Sequence, residues 1–184
     1  MLFPAPSSRL FYRPFVEEDL NDLFAMYSDL EVTHFLPGLR VSTLDEQRAM
    51  LPRLLSTVER YGEGFGVWAA KHRETGELVG TLLLKHIPDH EMNLTALIEV
   101  GWHLHRPFWK QGYAVEMGQA ALEHGFVQKA LQEIIAVVDP DNTASARVAE
   151  RLGMLKEGST KDFYGGEEVV LFRIQRHQWR KTSS

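Results

Sequence analysis

Residues 106–118 read RPFWKQGYAVEMG, and their types and spacing suit an anion site. They follow EVGWHLH, which alternates like a strand, and lead into QAALEHGFVQKAL, which has helical spacing. The first N–H groups of a helix lack an internal partner, and the helix dipole draws negative charge to that end. Gly112 lets the backbone approach a ligand with no Cβ in the way, and Lys110 adds a cation. One charge at a helix start is worth only about 0.3–1 kcal/mol, so several amides must act together. Phosphate or pyrophosphate is the expected ligand, against the alternative of a plain hydrated turn. There is no G-x-x-x-x-G-K-[ST] and no G-x-G-x-x-G after a strand, which removes support for ATPase and dinucleotide chemistry.

A second set of chemically able residues lies just upstream. Glu99, His103 and His105 alternate on one face if 99–105 is a regular strand. A carboxylate and imidazoles there suit proton transfer, since imidazole titrates near neutrality. The same three groups form a possible zinc or iron ligand set, so a metal enzyme is an alternative reading. The chain has no cysteine, which excludes disulfides, thiolate metal sites and a cysteine nucleophile. Its formal charge of −5 without a basic block disfavours nucleic-acid partners, whose binding relies on phosphate neutralisation. A mildly acidic surface suits an amine-bearing partner. No apolar run approaches a membrane span and the first residues lack a signal-peptide pattern, so no membrane partner and a cytoplasmic location are expected.

These residues need a scaffold. The 184 residues suffice for one domain over 1–184 that buries roughly 70% of its unfolded surface. No repeat or linker interrupts them, and 44% hydrophobic and 24% charged residues are ordinary globular values. LFYRPF at 10–15 reads as a strand, and EEDLNDLFAMYSDL as a helix with Leu20, Leu23, Phe24 and Tyr27 on one stripe. A second helix fits 43–60, opened by a Thr43–Glu46 capping box and striped by Met50, Leu51, Leu54, Leu55 and Val58. Strands follow in GFGVWAAKH, ELVGTLLLKHI and NLTALIEVGWHLH, the first two joined by the RETG turn. After a helix at about 113–129, EIIAVVD reads as a strand buried on both faces. DNTASARVAERLGM reads as turn, helix and glycine stop, with Asn142 or Thr143 as N-cap. The chain closes in a hairpin around Gly165-Gly166. The order β-α-α-β-β-β-α-β-α-β-β predicts an α/β (α+β) fold, a mixed sheet with helices on both faces.

WKQGYAVE, followed some thirty residues later by DNTASARVAERLGMLKEG, resembles the GNAT superfamily of acyl-CoA-dependent N-acetyltransferases. The similarity points to the RimJ/RimL-like branch, the ribosomal-protein N-terminal acetyltransferase type, and covers about 9–180. It implies about seven strands, mostly antiparallel, with central parallel strands that end near Leu104 and Val138 and splay apart. It implies acetyl-CoA as co-substrate, an amine acceptor (a peptide N-terminus or a small molecule) as partner, and a monomer or homodimer. The superfamily's Gln/Arg-x-x-Gly-x-Gly/Ala pattern falls on Trp109, Lys110, Gln111, Gly112, Tyr113 and Ala114, whose amides would bind the pyrophosphate. Lys110 departs from this branch, which commonly has Gly there. The backbone of Trp102 and Leu104 would pair with the pantetheine arm, and Asn142 and Ser145 match the family's Asn-x-x-Ser beside pantetheine and sulfur.

Acetyl transfer needs a neutral amine, a polarised carbonyl and a proton for the departing thiolate. Deprotonating an α-amine at pH 7 costs about 1 kcal/mol, and a lysine about 4.6 kcal/mol. The resemblance makes Glu99 the candidate base. Many members place the acid tyrosine where Ala149 stands, which leaves Ser145 as the matched hydroxyl; Tyr113 and Tyr164 are unranked. Acetylation of a small amine and non-catalytic CoA binding are the other expectations.

Overall fold

The computed structural model describes residues 3–179. Seven strands form one sheet: β1 (Leu10–Pro14), β2 (Gly66–His72), β3 (Leu78–Pro88), β4 (Leu94–Leu104), β5 (Glu133–Val138), β6 (Leu155–Thr160) and β7 (Val169–Gln175). Their spatial order is β1-β2-β3-β4-β5-β7-β6, antiparallel throughout except between β4 and β5. Six α-helices cover it: α1 (Leu20–Tyr27), α2 (Leu30–Thr33), α3 (Leu44–Leu55), α4 (Thr57–Tyr61), α5 (Tyr113–Glu123) and α6 (Thr143–Arg151). One face packs α5 and α6 over Trp68, Leu82, Leu84, Val100 and Ile134, all buried. The other packs α1 to α3 over Val67, Ala69 and Leu83 at one end, while Ile87, Ile135, Phe163 and Val169 form a separate cluster at the other. The α/β (α+β) expectation with both faces covered is met.

Helix signals hold where capping chemistry sets them. Thr43 accepts from the Glu46 amide and Glu46 reaches back, the reciprocal box expected. Asn142 rather than Thr143 caps α6. Two helix lengths differ from expectation. The helix expected over 43–60 is two, α3 and α4, divided at Ser56. Pro52 sits inside α3 and contributes no amide to the last turn, which weakens it where it ends. The side chain of Val58 lies outside the described residues. The helix expected to reach residue 129 gives way after Glu123 to a π-helical turn, His124–Gln128. There Gly125 lies against Ile134 of β5, and a Cβ would meet it at 2.6 Å.

Candidate active site

Strands β4 and β5 share a single register pair, Glu99 with Ile135, and then part. Beyond it β4 stays in register with β3 up to Leu104, and β5 stays with β7 up to Val138. The amide of His105 donates to the Val79 carbonyl, on the β3 side. Alternation along the strand therefore turns the polar groups of Trp102 and Leu104 to the opposite side, into the gap. One of them is already occupied: the Trp109 indole N–H donates to the Leu104 carbonyl at 2.9 Å. Trp102 keeps both its groups on the gap, whereas Leu104 keeps its amide alone. Backbone polar groups in such a gap need a ligand or water.

The gap runs up to the start of α5. Gly112 caps that helix with φ 83, and Lys110 two residues earlier has φ 61. Both lie in the left-handed region, which glycine enters at little cost and lysine does not. The loop thus keeps a glycine-like backbone at Lys110, which accounts for the glycine common there in the branch. Among the described residues, the amides of Lys110, Gln111, Gly112, Tyr113 and Ala114 have no hydrogen-bond acceptor. The loop is braced from behind. Gln111 Nε2 donates to the Pro107 carbonyl at 2.9 Å, and Arg9 donates to the Gln111 carbonyl at 3.0 Å. The Arg9 guanidinium also lies 4.0 Å from the Tyr113 ring centroid and pairs with Glu116 at 2.7 Å. Burial acts to raise the Glu116 carboxyl, but hydrogen bonds from Ser7 and Arg9 outweigh it and hold the carboxyl below its usual range. Arg9 had no motif to announce it.

On the far side of the gap, β5 turns through Asp139–Asn142 into α6. Asn142 Oδ1 accepts from the Ser145 amide at 3.0 Å, so its side chain is a helix cap. The Ser145 hydroxyl is half-buried and bonds to no described residue. Ala149 is fully buried in the core beneath it, which leaves no hydroxyl at that position.

The face of β4 that carries Glu99 is richer than the sequence reading allowed. Glu99 is 4% exposed, and Lys85, its register partner on β3, is 9% exposed. The Lys85 ammonium and the Tyr164 hydroxyl both donate to Glu99 Oε1, and Lys85 Nζ stands 3.0 Å from the Tyr164 hydroxyl. The ring centroids of Tyr61 and Tyr164 lie 5.7 and 5.3 Å from that ammonium. Burial, and then the adjacent Glu99, push the Tyr164 phenol far above its ordinary range, so it is a fixed donor. Two residues along β4, Gly101 leaves the floor low, since a Cβ would meet Leu83 at 2.9 Å. His103 follows, its Nδ1 3.0 Å from the Tyr27 hydroxyl, which also donates to Thr81 Oγ1 at 3.0 Å. Burial and the Lys85 charge lower the His103 imidazole to about 4, so it is neutral at physiological pH. His105 lies beyond β4 and packs against Phe108 instead. The metal reading therefore fails on geometry: among the described residues no three His, Asp or Glu side chains gather, and Glu99 is held by an ammonium and a phenol. Lys85 did leave a signal, a single lysine in the mostly apolar run LVGTLLLKHIP.

The sequence and the fold of the chain are matched by known proteins. The model of an acetyltransferase (GNAT) domain matches residues 9–155. An N-acetyltransferase of uncharacterised role, p20 from Bacillus licheniformis, is 30% identical over 178 residues, covering 94% of this chain and 96% of its own. The crystal structure of a GNAT-family acetyltransferase from Bacillus anthracis superposes with a TM-score of 0.76 at 25% identity, covering 93% of this chain and 97% of that one. RimL, a ribosomal L7/L12 α-N-protein acetyltransferase solved with coenzyme A, shares the fold with a TM-score of 0.71 at 20% identity, over 92% and 95% of the two chains. GNAT enzymes use acetyl-CoA and an amine acceptor, and the chain belongs to this family of N-acetyltransferases.

Proposed function

We propose that the protein moves the acetyl group of acetyl-CoA directly to a primary α-amine at the N-terminus of a peptide or protein. The observation that carries this reading is the opening of the sheet after Glu99–Ile135, next to a helix start whose loop amides are unpartnered. The pyrophosphate lies on the amides of residues 110–114, and the pantetheine amides pair with Trp102 and the Leu104 amide. The amine nitrogen attacks the thioester carbonyl, forming C–N and breaking C–S. The amine's proton passes to Glu99, directly or through water, while the Ser145 hydroxyl gives a proton to the thiolate and takes one back from solvent as Glu99 releases its own. An α-amine suits a site with one carboxylate and a neutral His103, because its deprotonation costs only about 1 kcal/mol at pH 7. RimL, similar in fold, is by its name an enzyme of this acceptor class.

Thiol release from acetyl-CoA, measured against peptides of varied N-termini and small amines, tests the reading. Peptide acceptors should give the higher kcat/KM. Proton transfer by a placed side chain is typically worth about 10²–10⁴ in rate. Glu99→Gln should therefore lower kcat about a hundredfold, and Ser145→Ala should lower it measurably. Near wild-type kcat in both variants from pH 6 to 9 would remove these two roles.

A further inference from the structure

Lys85 and Tyr164 belong to no motif, yet both converge on one oxygen of Glu99. They arrive from different parts of the chain: Lys85 is opposite Glu99 in the β3–β4 register, and Tyr164 is on the turn between β6 and β7. That turn is fastened to the β3–β4 hairpin by a bridge between Asp89 and Phe163. Tyr164 itself has φ 50, a left-handed backbone that a non-glycine residue keeps only where its surroundings impose it. With Lys85 and Tyr164 both on Oε1, the other oxygen of Glu99 has no donor among the described residues and is not among the sealed, unsatisfied atoms. A buried ion pair is seldom more stabilising than apolar side chains of the same volume, so stability alone does not account for this one.

We propose that Lys85 and Tyr164 are positioning residues that clamp Oε1 of Glu99 and present Oε2 as the one lone-pair site open to the acceptor amine or its relay water. The clamp fixes the carboxylate's rotation, and a near-attack geometry is sensitive to displacements of about 1 Å. This rests on Glu99 as the proton acceptor of the proposed transfer.

The test is a set of double-mutant cycles read on kcat, with KM for acetyl-CoA as control. With Glu99 present, Tyr164→Phe and Lys85→Met should each lower kcat about tenfold with KM for acetyl-CoA unchanged, and Lys85→Arg should recover part of the loss. In a Glu99→Gln background the same substitutions should have no further effect on kcat, because the group they position has gone. Equal factors in both backgrounds, or no effect in either, would overturn the clamp while leaving acetyl transfer intact. Wild-type turnover by Glu99→Gln alone would instead overturn the base reading beneath it. Should Lys85→Met fail to fold because it strands a buried carboxylate, Tyr164→Phe, which removes a single hydroxyl, carries the same comparison.

Discussion

At Tyr27, Thr81 and His103, three polar side chains from α1, β3 and β4 share two hydrogen bonds of 3.0 Å on the face that carries Glu99. Because burial and Lys85 bring the imidazole down to about 4 from an ordinary 6.5, the unfolded chain binds its proton first as pH falls. Across that window the unfolded state holds more protons, so stability rises with pH and is lost on acidification from about 6.5 toward 4. Replacing His103 with Gln should flatten the dependence of the thermal midpoint on pH in that interval, as measured by calorimetry. A variant as steep as the wild type would show that other groups carry the acid loss. The same imidazole is uncharged from pH 6 to 9, so a limb of the rate profile there belongs to another group or to the acceptor.

Between elements, the decisive piece is the short connection from β4 to α5. It must release β4 from its partner, turn sharply and start a helix with its amides uncovered. Trp109, Gln111, Gly112 and the distant Arg9 each supply part of that shape. A β-branched residue at Gly112, where φ is 83, meets a left-handed backbone that costs about 1–2 kcal/mol. Gly112→Val should therefore raise KM for acetyl-CoA at least tenfold while lowering stability only by that amount. Isothermal titration with CoA and a thermal melt check the two halves separately. If affinity survives the substitution, the loop amides are not the phosphate contact. Expectation for this element was good because a glycine after a strand and before a helical stripe is a local signal. The π turn at His124–Gln128 was missed because packing, not local spacing, decides how long a helix continues, whereas the break at Ser56 follows Pro52, a local signal outweighed in the reading by the apolar stripe.

For the whole molecule, the sheet is held together on one side by β1 to β4 and on the other by β5, β7 and β6, with one register pair between them. A ligand that spans the gap binds only the folded state and stabilises it by mass action. At a hundred times its dissociation constant acetyl-CoA should add about 2.7 kcal/mol, which for a chain of this size is a rise of roughly 5–10 °C in the melting midpoint. Fluorimetry with and without millimolar acetyl-CoA measures it. An unchanged midpoint would mean that the gap is not the cofactor's place.

Read without coordinates, the sequence determines the order of elements, the cap at Thr43 and the turn at Gly112, because each rests on neighbours within a few residues, and the family from two such local motifs taken together. It also marks Glu99 as a carboxylate on the strand that feeds the loop. Only tertiary structure decides what surrounds that carboxylate: Lys85 lies 14 residues away in sequence and Tyr164 lies 65, and neither has a local pattern tying it to Glu99. The same holds for Arg9, which reaches Glu116 across 107 residues to brace the cradle. Contacts of that range are set by strand register and by the docking of one turn on another hairpin, physical facts that no short stretch of the chain contains.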